Sequence, residues 1–180
     1  ALRDLRRAAD VFGFHLAPLD MRQHSKIHEQ VIADLFAQSV HKRDYLQLTP
    51  SERQALLLDE ITSPRTLYSP YFKYSATTQS ELRILKMAAE IQHRFGHAAL
   101  PNYIISMTTS VANILEVVLL LKEVGLLHSG ENPRLGLNII PLFETIGDLR
   151  GCGAMMDELF SVPYYRKLLE SRGNEQEVML

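Results

Sequence analysis

The sequence lacks several features that would assign a chain to a class of protein at once. It has no tryptophan and one cysteine, Cys152, so no disulfide can form within the chain and a reducing, cytoplasmic setting is expected. The formal net charge is −2 and no basic tract stands out, which gives no reason to expect a nucleic-acid partner. Neither a GxGxxG pattern nor a P-loop follows any predicted strand, and this weakens a nucleotide-binding interpretation.

Long uninterrupted apolar runs are missing as well. The longest run, residues 114–127, is interrupted by Glu116, Lys122 and Glu123, so it is too short and too charged to span a membrane. No secretory signal is visible, and no membrane partner is expected. The 180 residues, 46% apolar and 22% charged, suit one globular domain.

The two ends of the sequence carry a further expectation. The chain starts without a methionine, in the middle of a helical pattern, and it ends on the apolar run EVML. Natural termini are usually polar and frayed. We therefore expect residues 1–180 to be a single segment of a larger protein, incomplete at both ends.

The apolar periodicity predicts strands that alternate with helices. Continuous or alternating apolar runs predict strands over residues 12–21, 102–107, 137–143 and 176–180. Helical spacing predicts helices over residues 25–38, 50–63, 78–96 and 110–124, and two more that are divided at Pro163. The predicted N-caps of the first three helices are Ser25, Thr49 and Thr78, the last two in capping boxes. Residues 65–76 are predicted to be an irregular connector.

This order of elements predicts an α/β fold. Consecutive strand–helix units of this spacing imply a parallel sheet with right-handed crossovers. Continuous apolar strands fit a sheet that is covered on both faces. Both a doubly wound sheet and a slice of a (β/α)₈ barrel satisfy the pattern.

Polar side chains follow the apolar part of three predicted strands. In parallel α/β folds, chemistry is found at the carboxyl ends of the strands, so these side chains should share one rim. They are Asp20, Arg22 and Gln23, then Ser106 and Thr108, then Glu144. Arg22 offers a planar fork suited to phosphate or carboxylate, and Glu144 is a hard oxygen ligand suited to Mg²⁺ or Mn²⁺ or a candidate general base. Asp20 shares strand parity with Arg22 and could orient it. The pattern therefore predicts an anionic substrate handled with a divalent metal, unless each group merely caps a helix or pairs with a neighbour.

Four segments carry a family resemblance. PLDMRQHS at residues 18–25, YIISMTTSVANILEVVLLLKEVGL at 103–126, PLFETIGDL at 141–149 and EVML at 177–180 closely resemble, in order and spacing, the phosphoenolpyruvate carboxylases. The resemblance covers essentially the whole chain. It implies a helix-rich, partial (β/α)₈ TIM-barrel segment from a larger, mostly helical enzyme. Such enzymes join bicarbonate to phosphoenolpyruvate, giving oxaloacetate and phosphate, with Mg²⁺ or Mn²⁺ as the cofactor, and the resemblance implies an allosteric, cytoplasmic homotetramer.

The resemblance also implies roles for single residues. Glu144 is similar to the family's metal-binding glutamate, and Arg22 to the catalytic arginine that holds the substrate anion. From their places on the strands, and not from the resemblance, Gln23 and Ser106 are expected to assist in binding the substrate, and Asp20 to support Arg22. The family's second metal-binding carboxylate and its catalytic histidine match no residue of this chain. The segment alone should therefore bind metal weakly and catalyse nothing. Because it exposes sheet edges, it should also be poorly stable alone or pair with copies of itself.

Other interpretations of the sequence stay open beside this one. The chain could belong to a carboxylase-like protein that has lost activity and serves as a scaffold or interaction module. It could also belong to an unrelated barrel enzyme that acts on another phosphorylated acid. Two histidine pairs, His24 with His28 and His93 with His97, have a spacing that could share a zinc ion, although solvent-exposed histidines are the expected state.

Overall fold

The computed structural model describes residues 1–13, 15–39 and 42–180, and it has an α/β fold. Its helices are α1 (Leu2–Phe12), α2 (Ser25–Gln38), α3 (Pro50–Thr62), α4 (Ala76–Phe95), α5 (Val111–Glu123), α6 (Ile146–Phe160) and α7 (Pro163–Glu170). Its strands are β1 (Asp20–His24), β2 (Asn102–Ser106), β3 (Leu127–His128), β4 (Arg134–Leu135) and β5 (Asn138–Pro141), and short 3₁₀ turns cover Tyr45–Gln47 and His97–Ala99. Among the described residues, every helix is too short or too polar to cross a membrane.

The main sheet is parallel, as predicted, and has the strand order β1-β2-β5. Its register places Arg22 opposite Ile104, and Ile104 opposite Ile140. Residues paired in this way project from the same face of the sheet, and their neighbours along each strand project from the other face. The carboxyl ends of all three strands therefore meet at one edge.

Both faces of this sheet bury apolar side chains. Tyr103, Ile105 and Ile139 face the main core, which the sheet shares with α2, α4 and α5. Ile104 and Ile140 face the other way and form a smaller cluster with Leu142 and Met179. Because β2 and β5 are covered on both sides, their sequences read as continuous apolar runs rather than alternating ones, whereas β1 is polar and more exposed.

Helix α5 lies at the centre of the fold. All of its residues except Asn113 are buried, as its apolar sequence predicts, and the buried set includes the charged residues Glu116, Lys122 and Glu123. The Lys122 ammonium donates to the main-chain oxygen of Glu60 at the end of α3. The Glu123 carboxylate accepts from the Tyr68 amide at 2.8 Å, which holds the predicted connector against the body of the protein.

Local signals set several helix boundaries. The capping box of α3 is confirmed, since the Thr49 amide donates to the Glu52 carboxylate at 2.8 Å and the Glu52 amide donates to Thr49 Oγ1 at 3.4 Å. The prediction for α4 was wrong by three residues, because Ser75 is the N-cap and its Oγ accepts from the Thr78 amide at 3.2 Å. The predicted division at Pro163 is confirmed.

Three strand predictions need correction. The predicted strand over residues 12–21 includes residue 14, which lies outside the described residues, and the strand itself begins only at Asp20. A turn precedes it, in which Leu16 has a positive φ of 66° and the Ala17 amide donates to the His15 carbonyl. The predicted strand over 176–180 contributes a single parallel bridge, from Met179 to Leu142. Strands β3 and β4, which follow α5 and pair as an antiparallel hairpin, were not predicted.

Candidate active site

Arg22 lies in β1 and extends its guanidinium towards the carboxyl ends of the neighbouring strands. Its Nε donates to Ser106 Oγ at 2.7 Å, and its Nη2 lies 3.0 Å from Glu144 Oε1. Ser106 is the last residue of β2 and is 8% exposed, so its hydroxyl fixes one side of the guanidinium from within the protein. The Arg22 side chain remains 54% exposed and can still reach a bound molecule.

Glu144 stands between the end of β5 and the start of α6. The chain leaves the strand through Leu142, whose amide donates to the Ile105 carbonyl at 3.0 Å. It then enters α6 through Thr145, which forms a capping box with Asp148. Glu144 thus lies on a two-residue link whose ends are both fixed, and its side chain is 32% exposed.

The Glu144 carboxylate is held at both oxygens. Its Oε1 receives the Arg22 guanidinium, and its Oε2 accepts from the Met107 amide at 2.9 Å. Charge-assisted bonds of this kind are among the stronger ones in proteins. Arg22, Ser106, the Met107 amide and Glu144 form what we call the strand-end cluster. Arg22 and Glu144 are 122 positions apart in the chain, so the cluster exists only because the strands are parallel and adjacent.

Two residues predicted for the same rim point elsewhere. Gln23 follows Arg22 in β1 and so projects from the opposite face, where its Nε2 donates to Glu81 Oε1 on α4 at 3.0 Å. Thr108 is fully buried and its Oγ1 donates to the Ile105 carbonyl at 2.8 Å. Gln23 thus joins β1 to α4, whereas Thr108 bonds back to the end of β2, and the predicted contribution of Gln23 to the substrate rim does not match this geometry.

Asp20 also lies outside the strand-end cluster. It opens β1, and its Oδ1 accepts from Asn102 Nδ2 at 3.0 Å. The same row continues across the sheet, because Asn138 Nδ2 donates to Asn102 Oδ1 and Arg172 Nε donates to Asn138 Oδ1. Strand parity was right, but Asp20 lies at the amino end of the strands. Within the described residues, Ser106 rather than Asp20 orients Arg22.

Ser25 and the Met107 backbone were missed as parts of this region. Ser25 was the predicted N-cap of α2, but His24 has that role, since its Nδ1 accepts from the Lys26 amide at 3.0 Å. The Ser25 hydroxyl instead donates to the Met107 carbonyl at 2.8 Å. A backbone amide that binds a carboxylate has no side-chain signature, and no pattern in the sequence could have indicated it.

The donor set fits a hard divalent cation only in part. Glu144 supplies one carboxylate, and the described residues contain no group of three histidine, cysteine, aspartate or glutamate side chains that could hold a metal ion. Mg²⁺ commonly binds through one or two carboxylates and completes its shell with water and substrate phosphate. Glu144 therefore suits one ligand position of such a site.

Within the described residues, neither histidine pair belongs to a group of three side chains that could hold a metal ion. His24 caps α2 through its Nδ1, and His28 is 1% exposed with its Nε2 2.9 Å from the Tyr103 hydroxyl. Burial and, to a smaller extent, the nearby His24 lower the pKa of His28 to about 3, so this imidazole is neutral and joins α2 to β2. The expectation that His28 is exposed was wrong, whereas His93 and His97 are exposed as expected.

The chain is similar to known proteins that all carry the same description. The family model described as phosphoenolpyruvate carboxylase matches residues 1–180. A phosphoenolpyruvate carboxylase of Nitrosomonas europaea is 69% identical over 181 residues, covering 100% of this chain and 19% of the relative. Those of Nitrosomonas eutropha and Azorhizobium caulinodans are 64% and 52% identical, with 100% and 99% of this chain covered and 19% of each relative. The chain thus spans about a fifth of the length of the curated relatives it matches.

Proposed function

We propose, from the premise that this chain belongs to the phosphoenolpyruvate carboxylase family, that it carries part of the active site of such an enzyme. The whole protein would join bicarbonate to phosphoenolpyruvate and release oxaloacetate and phosphate, with Mg²⁺ or Mn²⁺ as cofactor. The observation that supports this proposal is the 3.0 Å contact between Arg22 and Glu144 at the carboxyl ends of parallel strands. A guanidinium and a carboxylate at this edge suit an anionic substrate and a cation, respectively.

Arg22 is the proposed substrate-binding and catalytic group. A guanidinium has five N–H donors in a planar fork, and Nε and Nη2 each make one of the contacts described above. The exposed side of the fork can bind the phosphate or carboxylate of the substrate in a bidentate manner. Ser106 holds Nε and so fixes the plane of the fork, which lets the same charge stabilise negative charge as it develops during the reaction.

Glu144 is the proposed metal ligand. A bound divalent cation would supply Lewis-acid stabilisation of negative charge on the substrate oxygens. The carboxylate sits on a short link between a strand and a capped helix, so the ligand is held in position before the cation arrives. Because one carboxylate seldom holds Mg²⁺, we expect the 180-residue chain alone to bind metal weakly and to produce no oxaloacetate.

The architecture of the whole protein is also a proposal. We infer that the parallel sheet is part of a closed (β/α)₈ barrel within a larger, mostly helical chain. This inference is supported by the parallel order β1-β2-β5 and by apolar burial on both sheet faces. The family relationship further suggests an allosteric, cytoplasmic homotetramer.

Two substitutions in the whole protein test the assignment. Glu144→Gln keeps the shape of the side chain but removes the charge that a cation requires, and Arg22→Lys keeps the charge but removes the fork. Each should lower kcat/KM for oxaloacetate formation by about a hundredfold or more, since each removes a group that stabilises developing charge. The exposed residues Glu175 and Arg166 provide matched controls, as Glu175→Gln and Arg166→Lys, and these variants should retain wild-type activity.

The outcome also decides between the enzyme and the scaffold interpretations. Oxaloacetate formation by the wild-type protein that is lost in both variants supports the enzyme. A wild-type protein without activity in the presence of phosphoenolpyruvate, bicarbonate and Mg²⁺ supports a scaffold. Activity that persists in Glu144→Gln overturns the metal-ligand assignment.

A further inference from the structure

Met107 has an unusual backbone conformation beside the strand-end cluster. It directly follows the last residue of β2, and its φ is 55°, in the left-handed region. A side chain with a Cβ pays a steric penalty there, which is why glycine or asparagine usually occupies such positions. Strained residues of this kind persist only where the surrounding structure holds them, and they concentrate at functional sites.

The peptide group after Met107 is held at both of its polar ends. Its oxygen, the Met107 carbonyl, accepts from Ser25 Oγ at 2.8 Å. Its nitrogen, the Thr108 amide, donates to the Leu142 carbonyl at 3.2 Å. Ser25 is 5% exposed and opens α2, and Leu142 follows β5, so two separate elements fix this one peptide plane.

The peptide group before Met107 points at Glu144. Its amide donates to Glu144 Oε2 at 2.9 Å. The two planes are joined only through the φ and ψ angles of Met107. Because the second plane is fixed, the φ and ψ angles that Met107 adopts, with φ at 55°, set the direction of the first amide.

We propose that Ser25 and the Met107 backbone act together as a positioning device for the Glu144 carboxylate. This inference rests on the proposed role of Glu144 as a metal ligand. Ser25 would not contact the metal itself and would act on it only through Met107 and Glu144. With the Met107 amide on Oε2 and Arg22 on Oε1, the plane of the carboxylate is set. The remaining lone pairs of Glu144 are then already oriented before a cation arrives. Less side-chain entropy is lost on binding, so the cation binds more tightly.

A purely structural role for Ser25 is the alternative to be tested. In that case its hydrogen bond would tie α2 to the end of β2 and would affect only stability. Ser39 offers a matched control, because it is also 5% exposed and its Oγ donates to the Phe36 carbonyl at the other end of α2, also at 2.8 Å. Removing either hydroxyl costs a buried hydrogen bond, but only Ser25 is connected to Glu144.

The first experiment measures Mn²⁺ binding to the whole protein by electron paramagnetic resonance. Ser25→Ala should weaken Mn²⁺ binding roughly three- to tenfold, the equivalent of one hydrogen bond. Ser25→Thr, which keeps the hydroxyl, should restore the wild-type dissociation constant, and Ser39→Ala should leave it unchanged. In kinetics, the apparent KM for Mn²⁺ should rise in Ser25→Ala while kcat at saturating metal stays close to wild type. Equal Mn²⁺ affinity in Ser25→Ala and wild type overturns the proposal.

A second pair of variants tests the backbone conformation itself. Met107→Gly accepts a positive φ without strain and should bind Mn²⁺ as tightly as wild type. Met107→Val, whose branched Cβ disfavours this conformation, should bind Mn²⁺ several-fold more weakly. Wild-type affinity in Met107→Val would show that the left-handed conformation does not position Glu144.

Glu144→Gln separates this proposal from the function on which it rests. If Glu144→Gln binds Mn²⁺ normally, Glu144 is not a metal ligand and the proposed function fails first. If Glu144→Gln loses Mn²⁺ while Ser25→Ala and Met107→Val retain it, the metal site stands and only the positioning role is wrong.

Discussion

At the residue scale, Glu116 is a buried carboxyl outside the strand-end cluster. It is fully buried in α5, where the Tyr45 hydroxyl donates to its Oε1 at 2.8 Å and Asn113 Nδ2 lies 3.4 Å from its Oε2. Burial raises the pKa of this carboxyl to about 7, even though both hydrogen bonds favour the charged form. Burial and the adjacent carboxyl also raise the pKa of Tyr45, so its phenol remains protonated.

The raised pKa of Glu116 predicts a pH-dependent stability. The folded state holds the proton more tightly than the unfolded state, in which the pKa is near 4.5. Stability should therefore fall as the pH rises from about 4.5 to about 7, by roughly 3 kcal/mol in total. Glu116→Gln cannot ionise, so its stability relative to wild type should improve by most of that amount between pH 5 and pH 8. Urea unfolding of the chain, at concentrations that keep it monomeric, measures this difference.

The control for this prediction is Glu175→Gln, at an exposed site. Its stability relative to wild type should be nearly constant between pH 5 and pH 8. If Glu116→Gln also shows a constant difference, the Glu116 carboxyl has an ordinary pKa and its burial does not raise that pKa.

Single residues differ in how far the sequence could predict their place. Arg22 and Glu144 were predictable because strand ends are visible in the apolar pattern and because their chemistry is distinctive. The position of Asp20 was not predictable in the same way. Strand parity shows which face of the sheet a residue occupies, but it does not show that Asp20 lies at the amino end of β1, where it pairs with Asn102. The link from Ser25 to Met107 depends on two elements that are 82 residues apart, and no local pattern encodes it.

At the element scale, the end of α5 depends on one glycine. Gly125 has a φ of 79°, and its amide donates to the Lys122 carbonyl at 3.1 Å. The Leu126 amide reaches back to the Leu121 carbonyl at 2.8 Å. These two bonds form a Schellman motif, which satisfies carbonyls at the end of the helix and turns the chain towards β3.

Gly125→Ala should destabilise the protein although nothing lies within 4 Å of the added Cβ. The penalty comes from the positive φ alone and should be about 1–2 kcal/mol. Gly151 gives a control of opposite sign, because it lies within α6 and an added Cβ there also meets nothing within 4 Å. Gly151→Ala should stabilise the protein by up to about 1 kcal/mol, since alanine favours the helix. Urea unfolding of both variants beside wild type tests the pair, and a shift of the same sign in both contradicts it.

Local signals predicted most helix boundaries, although the capping-box pattern at Thr78 placed the start of α4 three residues too late. The capping box at Thr49 and the proline at Pro163 act within a few residues, so their effect is visible in the sequence. Strands β3 and β4 have two residues each, which is too short to show a period. Helix α1 ends at Phe12, and apolar residues continue from there through the turn before β1. This continuous apolar pattern extended the predicted strand too far towards the amino end.

At the scale of the whole molecule, several surfaces expose apolar groups. Every residue of α1 is exposed, including Leu2, Leu5 and Phe12. On α4, Ile84 and Met87 are about half exposed and border an apolar groove lined also by Met21, Ile91 and Leu100. Within the described residues, β1 pairs only with β2, so its outer edge carries main-chain groups that have no ladder partner. Contiguous apolar surface and open strand edges are sites where proteins associate.

The 180-residue chain, expressed alone, should therefore associate with itself. Association buries the groove on α4 and pairs the open edge of β1, and both effects favour contact between copies. Sedimentation velocity should show a distribution that shifts to larger species as the concentration rises. Met87→Glu places a charge in the groove at a side chain that is 53% exposed, so it should shift this distribution back towards the monomer.

The control for this last prediction is an apolar site elsewhere on the surface. Tyr71 is 92% exposed in the connector between α3 and α4, and it does not line the groove. Tyr71→Glu introduces the same charge without touching the proposed contact, so its sedimentation should match wild type. Equal effects of the two substitutions would mean that net charge, rather than the groove, governs association. A wild-type chain that stays monomeric at all concentrations would mean that the groove and the β1 edge are too small to hold two copies together.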